Sequence, residues 1–374
     1  MAHSEQAPLL ISDPPHNNEG DTLRPPSPLE EGPPPSSLKT ELDRRRTTTF
    51  EDAPPYLQQN EHIRRFYRQE LGSWSECVKS LLWVHNELAN IHTHLLPCLF
   101  FLTLLSSITL FTLTRTLTPF TLPLPSYFHS PRLDPLSWKT ALAPIYPFPA
   151  ATQPSVTWFD TLVFAALFGG AAVCFGFSAG YHCGLAHSEK VCNRARRADH
   201  FGILFHTSVR FIAAFHYGFH CDPHLRNFYV GLMVLACITG VYVIVLSDEL
   251  QKYEYRKHRT ACFFTVGAVA AVPFGHAILR YGYEAASERM AFGWIGVEVA
   301  CLVAGMVIYS ERYPESLFPG KFDLAGNSHN LFHLLAVAAV LAQYAAASEG
   351  FRVVHLVASA SAAGGGGAGW CSGR

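Results

Sequence analysis

Residues 328 to 348 read S-H-N-L-F-H-L-L-A-V-A-A-V-L-A-Q-Y-A-A-A-S, an apolar run with no Lys, Arg, Asp or Glu that opens on two histidines. About 20 such residues in a helix match the roughly 30 Å of a bilayer's hydrocarbon. In that helix His329 and His333 share one face, roughly 6 Å apart at Cβ, close enough to hold one divalent metal ion. The spacing alone decides little. Its setting adds weight, because ionisable groups are expensive in lipid and mark function where they persist.

Working outward, six more runs have the same character: Ile91 to Leu113, Thr161 to Tyr181, His200 to Phe219, Asn227 to Leu246, Thr260 to Leu279 and Ala291 to Tyr309. With His329 to Ser348 they predict an all-α membrane protein, a seven-transmembrane helix bundle. Arg210 interrupts the third run and Glu298 the sixth. The composition agrees, with 49% hydrophobic and 15% charged residues in 374. A net charge of −1 and the lack of a basic tract give no reason to expect a nucleic-acid partner. The ten cysteines are scattered, several inside apolar runs, and show neither a disulfide framework nor a C-x-x-C pair.

Four segments follow. Residues 1–54 are proline-rich and too poor in large apolar side chains to offset chain entropy, so a disordered cytoplasmic tail is expected. They lack the pattern of a cleaved secretory signal, which leaves insertion to the first span. Residues 55–90 alternate apolar and charged faces at helical spacing and are expected to lie along the membrane surface. The plainer alternative is a solvated helix leading into the first span. Residues 91–350 form the membrane domain, and 351–374 a flexible low-complexity tail.

Lysine and arginine set the orientation. A cytoplasmic N-terminus puts Arg64, Arg65, Arg68, Lys79, Lys190, Arg194, Arg196, Arg197, Lys252, Arg256, Lys257, Arg259, Arg312 and Lys321 inside, and places the C-terminus outside. Threading the polar groups through that topology brings His182, at the end of span two, to the same inner depth as Asp199, at the start of span three, and as His329 and His333. Three imidazoles with an open fourth position are a ligand set of catalytic zinc, where water completes the shell. Asp199 would hold or deprotonate that water, and Ser178, one turn before His182, would stand behind the ligands as a donor. The plain reading of a lone interfacial histidine is an amphipathic anchor; the convergence with Asp199 favours the metal.

Three motifs resemble those of the progestin and adipoQ receptor family, also called the haemolysin III family, which includes the adiponectin receptors. They are H-N-E-x-x-N-I-x-T-H from His85 to His94, S-A-G-Y-H from Ser178 to His182 with His187-Ser188 and D-H-F-G-I from Asp199, and P-G-K-F-D-x-x-G-x-S-H-x-x-F-H from Pro319 to His333. The resemblance covers about Pro55 to Tyr344, and the proline-rich tail looks closer to fungal members. It implies seven helices with an inward N-terminus, Zn2+ on His182, His329 and His333, and Asp199 near the bound water. It also implies roles in zinc and lipid homeostasis, adiponectin signalling or ceramide hydrolysis. Ala186 and His200 replace the family's usual Cys and Tyr; neither is a proposed ligand.

Functions of three kinds follow: a zinc-dependent amide hydrolase acting on a ceramide-like membrane lipid, a receptor for an extracellular ligand with a structural zinc, and a zinc transporter. Transport would need polar groups at several depths, whereas most lie at the inner end. A plasma-membrane or endoplasmic-reticulum location suits the first two. Two further features stand apart. His216 and His220, with Asp222 or His224, could form an outward second metal site or simply replace interfacial aromatics. Arg210 and Glu298 each lie about 16 Å from the inner end at 1.5 Å per residue, a shared depth that predicts an ion pair. His92, His94, Asn86 and Glu87 are expected to tie the start of span one to nearby loops. Pro97 and Pro273 should bend their spans, and Gly169 and Gly170 should allow close helix contact.

Overall fold

The computed structural model describes residues 46–117 and 156–362. Of the expected tails, 1–54 and 351–374, residues 1–45 and 363–374 lie outside the described residues. The regular structure is helical apart from a two-strand ladder, β1 (Thr47–Thr48) against β2 (Tyr67–Arg68). The helices used below are α1 (Trp74–Lys79), α2 (Leu88–Leu117), α3 (Trp158–Gly184), α4 (Glu189–Gly218), α5 (Pro223–Gly240), α6 (Arg256–Ala268), α7 (Ala271–Tyr281), α8 (Tyr283–Met290), α9 (Phe292–Glu311) and α10 (Ser328–Ala362).

Six segments of the described residues are long and apolar enough to cross a membrane: Leu88–Leu110, Trp158–Gly184, Pro223–Val245, Tyr253–Tyr281, Phe292–Glu311 and Ser328–His355. Each contains or overlaps an expected span. The remaining one, His200 to Phe219, lies within α4, a helix of 30 residues whose first turns carry Lys190, Arg194, Arg196 and Arg197. Large apolar side chains such as Leu110, Leu162, Leu235, Phe264 and Leu279 stay exposed on the helices, as a lipid solvent allows.

Aromatic side chains fill the interior. Phe101, Phe164, Phe168, Phe175, Tyr344 and Phe351 join α2, α3, α4 and α10, while Phe211, Phe215, Phe219, Tyr229 and Met233 join α4, α5, α7 and α8. Small residues let α3 and α4 approach: a Cβ on Gly202 would lie 3.0 Å from the Cys174 backbone, and one on Gly170 3.2 Å from His206 Nδ1. Pro273 acts as expected, since the span breaks between α6 and α7 one turn before it, where its missing N–H would have bonded. Thr157 and Asp160 form a capping box at the start of α3. Asp160 also accepts from Tyr217 at 3.1 Å and faces His355 at 3.2 Å, tying α4 and α10 to that end.

The expected ion pair is present. Arg210 bonds Glu298, which also accepts from Gln343 Nε2 at 3.1 Å, and Gln343 Oε1 lies 2.9 Å from His206 Nε2.

Two expectations need correction. The stretch from Tyr56 to Asn90 is not one surface helix but a strap across one end of the bundle, with one α-helix of six residues and two short 3-10 turns before α2 begins at Leu88. Tertiary partners outcompete local helix bonds there. Asp323 takes the Arg64 N–H at 2.9 Å and Arg65 at 3.1 Å, Asn60 donates to Glu315 at 3.1 Å, and Phe66 and Gly72 adopt positive φ. At the other end of the chain α10 runs to Ala362, so helix continues past the expected boundary at residue 351. The cysteines also hold one surprise: Cys221 is disulfide-bonded, where no disulfide was expected.

Candidate metal centre

His182 ends α3, and His329 and His333 open α10, so three imidazoles from two helices point into the same space. One nitrogen from each lies within 4.8 Å of the others, and Nε2 of His182 is 3.2 Å from Nε2 of His329. His182 and His333 are buried, and His329 is partly so. A cavity of about 110 Å³ beside them is lined by His182, His329, Asp199, Glu87, Tyr309 and Arg259. Ser178 stands beside Asp199. All five residues expected from the sequence are therefore at this end of the bundle.

Glu87, immediately before α2, sets the chemistry of His182. Its Oε2 lies 2.7 Å from His182 Nδ1 and accepts from Asn90 Nδ2 at 2.8 Å. Burial would raise the Glu87 carboxyl, but the His182 imidazole and the Asn90 amide outweigh that and hold it below the usual range. A carboxylate oxygen only accepts, so His182 donates from Nδ1 and its Nε2 is turned towards the other two rings. Thr93 Oγ1 similarly lies 3.0 Å from His333 Nδ1. His94 stacks on His333 with ring centroids 3.6 Å apart and reaches Ser178 Oγ at 2.7 Å. Three imidazole nitrogens converging on one point, with the rings of His182 and His333 held from behind by Glu87 and Thr93, fit a bound divalent cation.

Here the sequence reading fell short. Glu87 and His94 do not merely tie the helix start to loops; they touch the candidate ligands and Ser178. Of that group His92 does bond locally, to the Leu88 carbonyl at 2.9 Å, and Asn86 to the Phe66 carbonyl at 3.0 Å. The available signal was the spacing of Glu87, Asn90 and His94, which places them on one helical face. Among the described residues His216 and His220 form no centre of this kind. Asp222 instead bonds Tyr281 and Arg280, the His216 ring packs 4.6 Å from that of Phe159, and His182, His329 and His333 are the one metal-competent group among the described residues.

Arg68 of the strap, itself buried, donates to the carbonyls of His182 at 2.5 Å and Cys183 at 2.9 Å. It places a cation at the C-terminal end of α3, where the helix dipole favours one.

A multi-pass helical membrane protein with a three-histidine cluster at one end of its bundle is the class that these features define. The chain belongs to the haemolysin-III related family, whose profile matches residues 82–344. It is 29% identical over 300 residues to the adiponectin receptor protein of Drosophila melanogaster, covering 80% of this chain and 58% of the fly protein. It is 26% identical over 312 residues to the ADIPOR-like receptor IZH2 of Saccharomyces cerevisiae, covering 83% and 86%. With heptahelical transmembrane protein 5 of Arabidopsis thaliana it shares 30% identity over 347 residues, covering 79% and 88%.

Proposed function

We propose that this adiponectin-receptor-like membrane protein holds zinc on His182, His329 and His333 and hydrolyses the amide bond of a ceramide-like lipid. The observation that carries the reading is the convergence of three imidazole nitrogens beside a cavity that also contains Asp199. Three neutral nitrogen donors suit zinc, which when bound supplies Lewis acidity to a carbonyl and to water. Asp199 takes the proton of the attacking water and returns it to the departing amine nitrogen. Ser178 steadies Asp199, while Glu87 and Thr93 keep the two imidazoles they touch in register.

In this reading α4 also crosses the membrane, as span three, which brings the count to seven, and the histidines face the cytoplasm. The lysine and arginine distribution supports that side. So does Cys221, which follows the far end of α4 and is disulfide-bonded, because disulfides persist on the oxidising face. The membrane is the plasma membrane or the endoplasmic reticulum.

A second reading, a receptor with structural zinc and no catalysis, is favoured by the ligands coming from two helices that the ion would clamp together, and by the receptor names of the fly and yeast relatives. Asp199→Asn separates the two. Under the first, fatty-acid release from a ceramide panel drops at least about a hundredfold while zinc content is unchanged. Hydrolysis that survives the substitution removes Asp199 as the base. Wild-type protein that carries zinc but releases no fatty acid leaves the receptor reading, and protein without zinc removes both.

A further inference from the structure

In sequence the strap is preceded by a run that the metal centre does not use, Arg44-Arg45-Arg46-Thr47-Thr48-Thr49. Thr49 is exposed, and its Oγ1 donates to Asp52 Oδ2 at 2.9 Å while the Asp52 N–H returns a bond to Oγ1 at 3.4 Å. This closed turn seats Phe50 and Ala53 against the strap's small core, with the Phe50 ring edge-on to Tyr67 at 5.9 Å. Tyr67 pairs with Thr48 across the ladder, and its neighbour Arg68 holds the carbonyls of His182 and Cys183. An exposed hydroxyl at one end of the strap is thus joined, contact by contact, to the backbone of a candidate metal ligand.

We propose that Thr49 is a phosphorylation site and that its modification releases the strap from the histidine end of the bundle. Arg46 stands three residues before it, with Arg45 and Arg44 behind, the kind of charge pattern by which arginine-directed protein kinases choose substrates. In the transfer the γ-phosphoryl group of a nucleoside triphosphate moves to Thr49 Oγ1. The bond from γ-phosphorus to its bridging oxygen breaks, a phosphorus–oxygen bond forms at Oγ1, the diphosphate leaves, and the hydroxyl proton passes to the kinase's base. The product no longer donates to Asp52 and sets a charge of about −1.5 to −2 beside that carboxylate and next to Glu51. Repulsion opens the turn, Phe50 and Ala53 lose their seat, and the ladder that presents Arg68 to His182 is weakened.

The inference rests on the cytoplasmic placement of the strap given above, since the phosphoryl donor is cytosolic, but it needs no hydrolytic activity. The test uses full-length protein in detergent, incubated with an arginine-directed serine/threonine kinase and ATP, beside Thr49→Ala. Mass spectrometry should find phosphate on Thr49. Limited trypsin should then cut at Arg64 and Arg65 about tenfold faster, the factor for about 1.4 kcal/mol of lost docking, and Thr49→Ala should show neither change. No incorporation, equal labelling of Thr49→Ala, or phosphorylation that leaves cleavage unchanged or slower overturns the proposal. Trypsin added outside sealed cytosol-facing-out microsomes checks the side separately. A strap protected there overturns the orientation, whereas an accessible strap whose Thr49 takes no phosphate overturns this inference alone.

Discussion

At the scale of single residues, the informative contrast is between two histidine pairs of identical spacing. His329 and His333 gain a third donor from α3, whereas His216 and His220 gain none among the described residues. Spacing within a helix is local and legible in sequence; the third donor is tertiary, and only threading polar groups through a topology brings it to the same depth. Glu87 was missed for the same reason, since its partner His182 lies 95 residues away. Because it fixes the proton of His182 on Nδ1, Glu87→Gln should keep the fold but weaken zinc binding about 10- to 100-fold, the usual cost of losing a ligand's supporting partner. Competition against a chelating dye would measure this, with helical circular dichroism as the control. Unchanged affinity would mean that the carboxylate does not orient the imidazole.

Among the elements, α4 and α9 show how charge and hydropathy trade off. Hydropathy located the six most apolar spans to within several residues, because lipid imposes one dominant pattern. It also marked His200 to Phe219 within α4, where His206 and Arg210 are matched by Gln343 and Glu298 on other helices. It misread residues 55–90, where side chains serve Asp323, Glu315 and α3 rather than a helical face. The shared depth of Arg210 and Glu298 did survive as a forecast of their pairing, while Gln343 and His206, which extend the network, carried no signal of their own. Glu298→Gln leaves the Arg210 cation buried without its counter-charge, and breaking such a pair costs about 3 to 5 kcal/mol. The apparent melting temperature in detergent should fall clearly for Glu298→Gln, and the double substitution Arg210→Met with Glu298→Met should recover much of the loss. A tolerated Glu298→Gln would show that the pair contributes nothing to helix association.

Across the whole molecule, one ion would join segments that the chain keeps far apart. His182 and His329 are 147 residues apart in sequence, and the groups behind them come from α2, so a metal at this point gathers the start of α2, the end of α3 and the start of α10. A ligand bound only by the native state stabilises it by about 4 kcal/mol at a thousandfold excess over its dissociation constant. Stripping zinc with a strong chelator should therefore lower the melting temperature of wild-type protein, and adding zinc back should restore it. His333→Ala should start near the stripped value and ignore the chelator. Asp199→Asn should respond as wild type does, because its carboxylate is not among the three proposed ligands. A melting temperature of zinc-loaded wild-type protein that is indifferent to chelation would mean that the histidines do not clamp these helices through a metal, and Asp199→Asn behaving like His333→Ala would make the aspartate a ligand rather than a base.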